Sequence, residues 1–156
     1  MLNALYVLVN LIPLPFWLLM IVLPNRDITR RVGSTYTVFL VLGVLYVLTL
    51  IGAAIALLTA PRSAPPDLTT AEGLAALFAN PLGALVVWLH MLTMDLLAGQ
   101  WIYHEAQRLH APRLLVSVIL ALAFMFGPFG VFVFVLWRAL AAQRPEPSRH
   151  QQEQPA

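Results

Sequence analysis

The chain has 156 residues, of which 60% are hydrophobic and only 10% charged, with a mean hydropathy of +0.82. No water-soluble domain of this length can hide so much apolar surface, so the class is an integral membrane protein of one domain. The formal charge of +2, carried by arginines scattered among loops, excludes a nucleic-acid-binding stripe.

Two absences narrow the chemistry further. With no cysteine there are no disulfides, thiolate metal sites, Cys nucleophiles or lipoprotein anchors. With no lysine there is no retinal Schiff base and no lysine-based covalent catalysis.

Four apolar segments reach the length of a bilayer-spanning helix, about 18 residues or more. The first covers 2–23. It has no positive n-region and no small-residue cleavage site, so it reads as a retained span rather than a signal peptide. No transit peptide is recognisable, and a bacterial cytoplasmic membrane is the expected location. Pro13 and Pro15 remove two backbone donors and must kink or unwind the segment, with the Asn10 amide as candidate partner for the freed carbonyls.

The second span covers 36–58, where Gly43, Gly52, Ala53 and Ala54 allow close helix approach. Tyr46 on it could pack or could hydrogen-bond a ligand. A linker from Pro61 to Asp67 follows, barred from helix by Pro65-Pro66. Thr69 with Glu72 then reads as a capping box opening a short interfacial helix, with Leu74, Leu77 and Phe78 on one side.

The third span covers 82–104 and opens at Asn80-Pro81; the fourth covers 113–138. Pro128, inside Gly127-Pro128-Phe129-Gly130, breaks the fourth into two helical halves. Residues 143–156 are polar and proline-containing and read as a disordered tail beyond a membrane domain of 1–142. The expected fold is therefore all-α, an integral membrane four-helix bundle with a short interfacial helix between spans two and three. The arginines after the first span lean towards both termini outside.

The third span carries the sharpest signal. His90 and Asp95 lie near its middle, where each ionisable side chain costs roughly 2.5–3.5 kcal/mol on insertion scales. Such groups persist where they face a protein interior or a polar ligand. At about 100° per residue, His90, Thr93, Leu97, Gln100, Trp101, His104 and Arg108 share an arc of about 100°, while Asp95 lies about 140° round from His90. The two do not pair within one helix. Asp95 faces a different neighbouring helix or the far wall of the same cavity. The competing explanation is structural: a buried His on a backbone carbonyl and Asp95 on a tyrosine or Asn10 would be glue between helices. His104 and Glu105 lie near the interface, where solvation is easy.

No ligand spacing joins His90 and Asp95, and four histidines are too few for a histidine-box di-iron site. No Gly-rich phosphate loop, dinucleotide fingerprint or haem motif occurs. The expectation is no metal and no cofactor.

Four blocks look familiar in order and spacing: Leu14–Met20 followed by Pro24, Val41–Tyr46, Trp88–Leu92 leading to Asp95–Ala98, and Gly127–Gly130. They resemble the plant neoxanthin synthase family, named for abscisic-acid deficiency, and its bacterial relatives, over roughly Leu5 to Leu140. The resemblance implies a small polytopic membrane protein acting on carotenoids; the plant members are associated with turning the epoxide violaxanthin into the allenic alcohol neoxanthin. This chain departs from the family pattern at Gln100, where an Arg often stands, and at Glu105, where Asp is typical.

Epoxide opening to an allenic alcohol is an isomerisation and needs no electrons. It needs an acid near the epoxide oxygen and a base near a vinylic proton, roles that a carboxyl and an imidazole can fill. The expected catalytic pair is Asp95 as acid and His90 as base, with the reverse assignment open. Asn10, Trp17, Tyr46, Trp88, Thr93, Gln100, Trp101 and His104 are the expected substrate contacts. The partners expected are a carotenoid or other long apolar lipid and the bilayer, with no nucleic acid; a homo-oligomer stays open. The alternative readings are a non-catalytic carotenoid-binding or assembly protein, and a small membrane subunit whose polar residues only join helices.

Overall fold

The structure, a computed structural model, describes residues 2–33, 35–59 and 67–142. The greater part of the proline linker and the polar tail lie outside the described residues. The described elements are all helical: α1 (Leu2–Leu11), α2 (Leu14–Val22), α3 (Asp27–Gly33), α4 (Thr37–Thr59), α5 (Ala71–Ala79), α6 (Pro81–Arg108), α7 (Arg113–Phe126) and α8 (Pro128–Ala142). Three stretches are long and apolar enough to cross a bilayer: Leu2–Val22, Asp27–Thr59 and Pro81–Arg108.

The first stretch breaks where its prolines require. The break falls between Leu11 and Leu14, and α2 resumes with Pro15 in its first turn, where a missing N–H is harmless. The Asn10 amide does not serve the freed carbonyls, as the sequence suggested. It donates one turn back to the Tyr6 carbonyl at 2.6 Å, because the side chain reaches that carbonyl within its own helix.

The longest helix, α6, organises the rest. Asn80 caps it, its side-chain oxygen accepting from the Leu82 and Gly83 amides, and Pro81 takes the first position. Leu85, Leu89, Leu96, Ile102 and Tyr103 are buried along it. On one side α1 and α2 run parallel to α6, tied by Trp88 to Asn10 near its start and by Tyr103 and Gln107 to Pro24 near its end. On another side α4 runs antiparallel, placing Tyr36 by His104 and Tyr46 by His90. Close approach of α2 depends on Gly99, since a Cβ there would enter the Trp17 ring. Gly99→Val is expected to destabilise the fold by about 1–3 kcal/mol, read as a lower melting temperature in detergent.

The fourth apolar segment departs from the expected span. It does divide at Gly127, but the halves fold back on each other instead of continuing. A Cβ on Gly130 would overlap the Ala123 backbone, which is possible only if α8 turns back along α7. The course of α8 beside α6 agrees: Gly127 lies at Asp95, Phe134 at Trp101, and Arg138 at Glu105. So α7 runs from the Arg108 end of α6 to its middle, and α8 returns. Helices of 14 and 15 residues extend only about 21–23 Å at 1.5 Å per residue, short of a hydrocarbon core of about 30 Å. The physical reason is Gly127, whose φ of +44° turns the chain where a straight helix would go on.

The hairpin also decides where the described chain ends. Leu2 lies with Pro81 at one end of α6, and Arg138 with Glu105 near the other. The two ends of the described chain therefore lie towards opposite ends of α6.

The short helix α5 forms as expected, with its cap one residue later. Thr70, not Thr69, accepts from the Gly73 amide. The amide and hydroxyl of Thr69 are already held by the Asp67 carboxylate at 3.0 and 2.7 Å, an Asx-type turn that leaves Thr70 to cap. Those bonds, side chain first, hold the Asp67 carboxyl below the ordinary carboxylate range. A carboxyl with a lowered folded-state pKa supports its turn above the unfolded value and loses that support as pH falls through the folded one. The Thr69 amide resonance is expected to titrate below the usual Asp range.

Candidate functional site

Asp95 sits at the fifteenth residue of the 28-residue α6, half-way along it. Its carboxylate lies against the Gly127 turn, with Oδ1 2.6 Å from where a Cβ on Gly127 would stand. Asp95 makes no hydrogen bond and no ion pair with any described residue, and it is only partly buried. Tyrosine or Asn10 as its partner, the structural explanation open from sequence, is not what the geometry shows.

Above Asp95 the half-depth hairpin leaves the face of α6 uncovered. There a cleft of about 270 Å³ opens between α1, α5 and α6, lined among others by Tyr6, Phe78, Pro81, Ala84, Trp88 and Met91. Pro81, Ala84, Trp88 and Met91 recur at helical spacing on one face, and Asp95 is the next residue of that stripe, one turn below Met91. The lining is chiefly apolar and aromatic, with Tyr6 and Trp88 rings 6.2 Å apart. One polar pair crosses its wall, Trp88 Nε1 donating to Asn10 Oδ1 at 3.2 Å. Replacing Asn10 by leucine is expected to cost about 0.6 kcal/mol, the average for interhelical hydrogen bonds of this kind, measurable by reversible unfolding in mixed micelles.

The residues singled out from sequence divide into three groups. Asn10, Trp88 and Asp95 belong to the cleft and the face below it. His90 and Tyr46 meet elsewhere, ring centroids 5.5 Å apart, on the side of α6 that faces α4. His90 and Asp95 are not brought together. The remaining residues serve packing or loop anchoring. Trp17 is buried against Gly99 and Phe124, and Trp101 packs edge-on against Phe134. Thr93 bonds back to the Leu89 carbonyl at 2.6 Å. Gln100 donates to the Thr35 carbonyl at 3.2 Å, and His104 Nε2 lies 2.8 Å from the Gly33 carbonyl.

Sequence reasoning missed Tyr6 and Met91 as lining and Gly127 as the neighbour of Asp95. The signal for the last was present: a lone acid in one apolar segment and a Gly-Pro break in another. Among the described residues no group of three or more His, Cys, Asp or Glu could hold a metal ion.

Comparison with known proteins decides the family. The family model described as ABA DEFICIENT 4-like matches residues 4–134. The chain belongs to the ABA DEFICIENT 4-like family. It is 27% identical over 128 residues to "Protein ABA DEFICIENT 4, chloroplastic" of Arabidopsis thaliana, an alignment covering 81% of this chain. The chain spans 57% of the length of that relative. No solved structure matches. The segment shared with the ABA DEFICIENT 4-like family contains Asn10, Trp88, Asp95 and Gly127, so the turn and all of the cleft lining except Leu2 and Asn3 lie within the family's own part of the chain.

Proposed function

We propose that this protein is a carotenoid-modifying membrane protein whose lateral cleft takes the end ring of a carotenoid and presents it to Asp95. In this reading three segments cross the bilayer and the α7–α8 hairpin re-enters from one side. The observation that carries the reading is the unpartnered Asp95 carboxyl, midway along α6 and one turn below an aromatic-lined cleft. An ionisable group at such depth is a functional site by default. Arg26, Arg30, Arg31, Arg108, Arg113 and Arg138 gather at the Arg108 end, which supports a cytoplasmic placement of that end. This replaces the expectation of both termini outside.

The reaction that fits best is isomerisation of a xanthophyll epoxide to an allenic alcohol. Asp95 in its acid form gives its proton to the epoxide oxygen as the carbon–oxygen bond opens. The carboxylate left behind takes the adjacent vinylic proton as the allene forms. The product is an isomer, the proton count is unchanged, and Asp95 is ready again without a cofactor. With His90 turned towards α4, one residue performs both transfers. The two-residue version, with His90 as base, is distinguished by His90→Ala, which is expected to retain conversion.

The second reading, a binding protein without catalysis, is favoured by the apolar lining of the cleft. Purification from a host making epoxidised carotenoids separates the two. A bound pigment absent from a control strain supports catalysis; enrichment of an unchanged pigment supports binding. Recovery of no pigment at all would overturn both.

A further inference from the structure

At the Arg108 end the last turns of α8 stand against the turn joining α6 to α7 and leave a second cleft, of about 630 Å³. Its wall is apolar at Leu109, Pro112 and Trp137 and ionic at Glu105, Arg108 and Arg138. The ionic part is not neutral. The Glu105 carboxylate, its side chain 13% exposed, meets Arg138 at 3.2 Å with one oxygen and Arg108 at 3.6 Å with the other. One carboxylate between two guanidiniums leaves a net positive charge. The Arg side chains are 81% and 48% exposed, and each guanidinium has five N–H donors, of which a single contact to Glu105 uses few.

The backbone is tightened at the same place. His110, also on the cleft wall, holds a left-handed φ of +50°, fixed between bonds from its own amide to Gln107 and from the next amide to Ala106. Such a conformation is uncommon outside glycine and persists where neighbouring contacts determine it. The cleft is thus a shaped, cationic hollow with an apolar side.

We infer that this cleft binds the phosphate of an anionic phospholipid. The two guanidiniums take the phosphate oxygens, a pairing whose planar geometry suits Arg. Leu109, Pro112 and Trp137 take the glycerol-ester region, with Trp at the headgroup level it favours. The apolar side, continuing into exposed Leu136 and Leu140 on α8, selects a lipid over a free phosphate. Glu105 and Arg108 lie within the segment matched to the family, and Arg138 lies four residues beyond its end. The inference rests on the membrane placement proposed above and is independent of the reaction at Asp95.

The test is native mass spectrometry of the full chain in micelles holding equal amounts of palmitoyl-oleoyl phosphatidylglycerol and phosphatidylcholine. Retention of the anionic lipid is expected to exceed that of the zwitterionic one by about tenfold, the factor that 1.4 kcal/mol gives. Arg108→Gln with Arg138→Gln should remove the preference. Glu105→Gln, which takes away the competing carboxylate, should raise it, a gain that misfolding cannot imitate. Equal retention of the two lipids, or an undiminished preference in the double variant together with no rise in E105Q, would overturn the inference. Displacement of the lipid by equimolar glycerol 1-phosphate would overturn the lipid assignment in favour of a soluble phosphate. Membrane placement itself is checked separately, by resistance to carbonate extraction from bilayers.

Discussion

Asp95→Asn is expected to abolish pigment conversion while the protein accumulates at least as well as the wild type. General acid–base groups contribute typically about 10²–10⁴-fold, and asparagine cannot give up or take a proton in this range. The stability half of the prediction follows from the absence of any hydrogen bond to Asp95 among the described residues. Asparagine keeps the shape beside Gly127 and removes an ionisable group from apolar surroundings, a group placed at roughly 2.5–3.5 kcal/mol on insertion scales. A residue that glued helices together would behave oppositely, losing melting temperature with no specific loss of conversion. Measuring pigment turnover and thermal unfolding on the same preparation therefore decides between the two. Full conversion in D95N would end the catalytic proposal.

Gly127→Val is expected to destabilise the hairpin strongly at its turn. Two costs combine. The backbone there has φ +44° and ψ −99°, and strained conformations of this kind cost about 1–3 kcal/mol for residues with a Cβ. In addition the new side chain would start within 2.6 Å of Asp95 Oδ1, so either the carboxyl or the turn must move. Overpacking adds about 1–3 kcal/mol more. The expected outcome is a protein of poor yield, cleaved early by protease between α7 and α8. Pairing the change with Asp95→Ala should restore part of the lost stability, because it removes the clash and leaves the strain. A valine variant as stable as the wild type would mean that the chain does not reverse at this point.

Much of the fold was legible because it depends on local chemistry. Paired prolines at 13 and 15 divide α1 from α2, Asn80-Pro81 starts α6, and Pro128 starts α8, each by a rule that acts within a few residues. The hairpin was not legible. A long apolar segment satisfies the same length criterion whether it crosses or turns back, and the positive φ of Gly127 leaves no trace in hydropathy. The site was half legible for a related reason. Helical spacing correctly set Asp95 apart from His90 and placed Gln100 with His104 on one stripe. It could not say what would cover that stripe. The answer is the backbone of residues 24–33 and 35, whose carbonyls at Pro24, Gly33 and Thr35 meet the Tyr103 hydroxyl, His104 Nε2 and the Gln100 side-chain nitrogen. Gln100 and His104 looked like ligand contacts because free backbone carbonyls and a polar ligand ask for the same donors.

The half-depth reversal at Gly127 makes the molecule unequal in girth. Around its Arg108 end α2, α3, α4, α6, α7 and α8 gather, whereas near Pro81 α1, α4 and α6 stand with the short helix α5 among the described residues. In the membrane placement proposed above, a body broader in one leaflet than in the other is a wedge, and lipids packed round it relax when the sheet bends away from the wide end. Small vesicles and tubule rims should therefore gather this protein from flat bilayer, as sorting between liposomes of different radius would reveal.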